Sequence, residues 1–130
     1  MNTNTLMATA LIGAAALTAQ PAALAAETSL AMEQMAQIVL NLEQKPDADA
    51  QHTLEVIAED SASTYNERVL ASSIKNLDKK IRPDDKPTVL KVWTNPAASE
   101  SERELARILL RFNEQPTEDA KATLNQWVEP

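Results

Sequence analysis

The chain has 130 residues, a net charge of −7, no Cys, one His and one Gly. That length carries one domain with a real core rather than two. No disulfide, thiolate or multi-His metal site is available, no glycine loop for phosphate, dinucleotide or calcium exists after Gly13, and the acidity argues against nucleic acid, which needs clustered Lys and Arg.

Residues Met1–Ala25 contain no charged side chain. Leu6–Ala19 is an apolar run with one Gly, Pro21 follows, and Ala23-Leu24-Ala25 gives a small-x-small pattern. The run is short for a membrane span, which needs about 20 residues. The segment therefore reads as a secretory signal peptide over 1–25, even though its start has no Lys or Arg. Removal leaves residues 26–130, three lengths of thirty-five, as one helical-repeat domain with no membrane span and a periplasmic or secreted location.

The rest of the chain repeats at that same period. Ser29, Thr64 and Ser99 form one column; Met35, Leu70 and Leu105 another; then Ala36, Ala71 and Ala106; Val39, Ile74 and Leu109; Leu42, Leu77 and Phe112. A fixed period of this size is the mark of stacked supersecondary elements. The expected fold is all-α: three helical hairpins from a 35-residue repeat, packed as a short array or a compact bundle.

Each repeat opens on a hydroxyl that can cap a helix, and Thr64/Glu67 and Ser99/Glu102 complete capping boxes, whereas the first repeat has Met32 in the Glu place. Apolar residues follow at steps of three and four: Met35, Ile38, Val39, Leu42; Leu70, Ile74, Leu77, Ile81; Leu105, Ile108, Leu109, Phe112. Pro46, Pro83 and Pro116 are expected to end these helices, with Asp47, Asp84 and Thr117 capping the next. The second helices pair Leu54 with Ile57, Leu90 with Trp93 and Leu124 with Trp127, both Trp being read as core. Aligned on its Pro, the middle repeat has two extra residues around Lys80–Arg82. Its segment 87–94 would suit a strand about as well as a helix on composition, and the repeat decides for helix.

The first and third repeats share residues that the middle one lacks. Ile38 and Leu40 match Ile108 and Leu110, where the middle repeat has Ser73 and Lys75. Either the outer repeats close on each other, or these four residues form an interaction surface for an unknown protein partner or for self-association. Charge divides as well: residues 27–61 hold one Lys against eight acids, and residues 62–96 hold seven basic residues against four acids. The basic residues Lys75, Lys79, Lys80, Arg82, Lys86 and Lys91 make a candidate anion-facing strip, or simply a solvated helix face.

Catalytic residues, metal ligands and cofactors are not expected. His52 stands alone, Asp84-Asp85 and Glu118-Asp119 fall at helix starts where capping explains them, Glu59-Asp60 has no second ligand set, and Asp47-Ala-Asp49 lacks the Gly and distal Glu of a calcium loop. The reading is an exported, non-catalytic helical-repeat protein acting through protein contact or a structural role. The alternative is a small-ligand or metal carrier with a pocket between hairpins.

Overall fold

The computed structural model describes residues 28–128; the proposed export segment lies outside them. Six helices follow in order: α1 Leu30–Leu40, α2 Ala48–Glu59, α3 Tyr65–Lys75, α4 Lys86–Trp93, α5 Glu100–Arg111 and α6 Glu118–Val128. The described residues form no β-strand; three isolated bridges sit inside loops. Among them no helix is long and apolar enough to cross a membrane. Of residues 87–94, all but the C-cap Thr94 are helical, with Pro87 in the first turn of α4, where its missing N–H costs nothing.

The expected caps are present on every helix but α4. Ser29, Thr64 and Ser99 each accept a backbone N–H of the following turn, and Thr64/Glu67 and Ser99/Glu102 close both bonds of the capping box. Asp47 and Thr117 cap α2 and α6, accepting from Ala50 and Ala120. At α4 the cap is Asp85 rather than Asp84, and its carboxylate accepts from Asn76 Nδ2 at 3.3 Å instead of from the helix.

α1, α3 and α5 touch one another and form the centre, with α2, α4 and α6 outside. Each outer helix packs most extensively on the inner helix that follows it: α2 on α3, α4 on α5, and α6 back on α1. The expected partners across the Pro-marked turns, α1 with α2 and α3 with α4, touch less. Apolar burial explains the arrangement. Met35, Val39, Leu70, Ile74, Leu105 and Leu109 are fully buried on the inner helices, and Leu54, Val89 and Leu124 on the outer ones.

Those last three residues correct the sequence alignment. Val89 and Val92, thirty-five after Leu54 and Ile57, face the core, while Leu90 and Trp93 are 44% and 39% exposed. Trp127 is half-buried against the core. The prolines are corrected too. The helices stop several residues before them, and Pro46 and Pro116 lie buried ahead of α2 and α6. Ile81, not the exposed Pro83, stands thirty-five residues after Pro46, and it is buried. The middle segment therefore has no insertion. Its outer helix begins later, after a turn at 83–85.

The chain closes at both ends of the inner helices. At the C-terminal end, Gln44, Lys79 and Glu114 are left-handed, with φ of 74°, 71° and 66°. Lys79 N–H donates to Gln44 O at 2.6 Å, Glu114 N–H to Lys79 O at 2.6 Å, and Gln44 N–H to Glu114 O at 2.7 Å. The three bonds form a closed ring. Two positions before these residues, Leu42, Leu77 and Phe112 bury their side chains. Left-handed non-Gly backbone costs about 1–3 kcal/mol per residue, and the ring bonds and these anchors hold it in place.

At the N-terminal end, Ser29 Oγ donates to Glu67 at 2.5 Å and Thr64 Oγ1 to Glu102 at 2.7 Å. Glu102 also accepts from Ser99 N–H and Asn66 Nδ2. Both carboxylates are buried, so each joins two inner helices as well as capping its own. The third position of this kind holds Met32, 1% exposed, and Ser99 Oγ instead meets Ser101 Oγ at 3.2 Å. Glu102→Ala is expected to destabilise the protein by about 1–3 kcal/mol, because three donors lose their acceptor; urea melts measure it.

Candidate functional site

The apolar residues singled out by sequence differ in burial. Ile108 is 3% exposed and belongs to the core. Ile38, Leu40 and Leu110 are partly buried and pack against it. Ile38 and Leu40 also line grooves. An open groove of about 500 Å³ lies between α1 and the start of α2; Ile38, Leu42, Pro46 and Ala50 supply its apolar lining and Gln37, Glu43, Asp47 and Asp49 its polar lining. A smaller one, about 190 Å³, runs from Leu40 to Gln115, Pro116 and Lys121. Asn41, Leu42 and Glu43 border both, so the α1–α2 loop is a ridge between two grooves.

Asn41 Nδ2 turns back to Gln37 O at 2.9 Å. Thirty-five residues on, Asn76 instead crosses to Asp85 at the start of α4. Thirty-five further, the position of Gln37 is Arg107, which forms an ion pair and hydrogen bonds with Glu104 on its own helix. The Glu104 hydrogen bond is the main reason that the Arg107 guanidinium holds its proton more tightly than usual, and the charges of Glu104 and Asp119 add to this against partial burial. Asp119 corresponds in position to Asp49, so an α5 side chain meets the field of α6 where α1 has a short amide.

The basic residues are partly spoken for. Lys75 Nζ lies 2.8 Å from Glu55 Oε2 and Arg82 Nη2 3.4 Å from Asp84 Oδ2. The Lys75 hydrogen bond, and then its charge, lower the Glu55 pKa. Lys79 holds the left-handed ring position, and Lys80, Lys86 and Lys91 are exposed on the α3–α4 loop and α4. Lys75 stands in the same column as Leu40 and Leu110. A cation with an apolar stem thus fits where the others place Leu.

His52 is exposed on α2. Among the described residues no group of three or more His, Cys, Asp or Glu is placed to hold a metal. The buried acids Glu67 and Glu102 are engaged with hydroxyl and backbone donors. Sequence reading identified them as helix caps and missed that they bridge helices, since the bridging partner is thirty-eight residues away in one case and in the other. The groove beside Asp49 was missed as well, although Gln37 and Arg107 stand seventy residues apart in the sequence alignment. No known protein family, curated protein or solved structure matches this chain.

Proposed function

We propose that this is an exported, non-catalytic protein built from three 35-residue units closed into a ring, and that it works by contact with another protein at the first unit. The observation that carries the reading is the pair of open grooves flanking the ridge Asn41–Glu43, with Ile38 in one and Leu40 in the other. Both grooves are open and a buried apolar cluster lies beneath them, so these partly buried apolar residues are the edge of a surface. An open groove of this form suits side chains of a docking segment better than a small molecule, whose sites bury most of the ligand. The first unit also carries most of the negative charge, which would steer a basic partner.

Leu40→Lys tests this, with Leu110→Lys beside it. The two residues share a column, the column already holds Lys75, and Leu40 lines the smaller groove described above. Both variants should melt close to the parent. In affinity capture from extracts of the producing cells, Leu40→Lys should lose the partners that the parent chain retains, and Leu110→Lys should keep them. Sedimentation of the purified chain checks self-association in the same variants. Equal capture by both variants would remove the support for the first unit as the contact face.

A further inference from the structure

Asp49, Asp84 and Asp119 occupy the same place in the three proposed units. Asp84 has Arg82 beside it, 3.4 Å away. Asp119 acts on Arg107, which lies half-covered over the same unit and is held by Glu104. Asp49 has no such companion. Where the third unit has Arg107 and Glu104, the first has Gln37 and Gln34, and where the middle unit has Arg82, the first has Asp47. Among the described residues no hydrogen bond or ion pair reaches the Asp49 side chain. The side of the groove where an arginine would lie is open, as Asn41 is folded back on its own helix.

We propose that the α1–α2 groove takes the guanidinium of an arginine supplied by a partner protein, in the place where the third unit keeps its own Arg107. This rests on the contact reading above and gives it a ligand chemistry. The groove matches an arginine along its length. Ile38 offers apolar surface to the methylene stem over the buried Leu42 and Pro46, and Asp49, Asp47 and Glu43 offer carboxylates to the fork. The carboxylates line the groove without gathering at one point, which suits a planar, delocalised cation better than a metal ion. Lys45, also on the lining, sets a limit on how many cations the groove accepts.

The experiment titrates the peptide acetyl-Ala-Arg-Ala-amide into the isotopically labelled protein at low salt and follows backbone amide shifts. Parallel titrations replace the arginine by lysine and by citrulline, which keeps the shape without the charge. Saturating shifts at Gln37, Asn41, Asp49 and Ala50 are expected with arginine. Lysine should bind about tenfold more weakly, since it cannot make the forked contact, and citrulline should produce no saturable shift. Asp49→Asn should weaken the arginine peptide by about tenfold. Gln37→Arg should abolish its binding by placing a guanidinium in the groove from within. Arginine binding that survives Gln37→Arg in a chain with parental melting overturns the proposal. So does citrulline binding equal to arginine, or indifference to Asp49→Asn, an exposed change that decides the matter if Gln37→Arg fails to fold. A flat arginine titration alongside loss of capture by Leu40→Lys ends the guanidinium proposal and leaves the contact surface standing. Retained capture by Leu40→Lys ends the contact reading itself.

Discussion

Leu77→Ala is expected to destabilise the protein by about 2–5 kcal/mol, the usual range for a deeply buried Leu. Leu77 is 2% exposed. It follows the last turn of α3, and its N–H still bonds to Ile74 O at 3.0 Å. Two residues later the backbone turns left-handed at Lys79. Truncation thus leaves a cavity and also removes the anchor that holds one corner of the ring. Urea melts give the value. Leu90→Ala is the paired control: despite its apolar side chain it should stay within about 0.5 kcal/mol, as exposed positions usually do. Equal losses at the two positions would mean that the burial pattern of α4 is wrong.

The second large effect is expected at Lys79 itself. Lys79→Pro removes the N–H that donates to Gln44 O and forces φ to about −65° where the chain has 71°. A loss of about 3 kcal/mol or more should follow. Lys79→Gly should act in the opposite direction, raising stability by about 1 kcal/mol, because glycine adopts this φ without steric cost. Lys79→Ala should stay within about 0.5 kcal/mol, since alanine and lysine carry the same Cβ and the lysine side chain is exposed. The three variants in one thermal melt series separate backbone from side chain. A Gly variant less stable than the Ala variant would show that the backbone there is not held left-handed.

The inner helices were legible because each signal was local: a hydroxyl cap, an acid three residues on, and apolar residues at steps of three and four. α4 was legible as a helix but not in register. Leu90 and Trp93 look more core-like than Val89 and Val92, and Pro83 looked like the counterpart of Pro46 when Ile81 was. Hydrophobicity and a shared residue type outweighed the plain count of thirty-five, which was the better guide. The left-handed loops gave no signal, since glycine is the usual mark of such backbone and Gln44, Lys79 and Glu114 fill these places. Their conformation comes from one another's carbonyls, across thirty-five residues of chain. The groove needed two facts at once: the Gln37/Arg107 contrast, which aligned sequence provides, and the nearness of Arg107 to Asp119, which only packing provides.

The ring is joined less well at one junction than at the others. A short turn brings α2 onto α3, whereas α6 reaches α1 only after the whole intervening chain. At about 0.6 kcal/mol per doubling of loop length, that closure costs on the order of 2 kcal/mol more. It is also the junction where Met32 replaces the bridging glutamate and Ser99 turns to Ser101. The molecule should therefore breathe there first, with α1 lifting from α5 and α6 while the middle helices keep their amide protons. The face that lifts carries Leu40 and the smaller groove, so a partner bound across Leu40 and Lys121 would act as a latch, slowing exchange along α1 and α6 well beyond the few residues it touches.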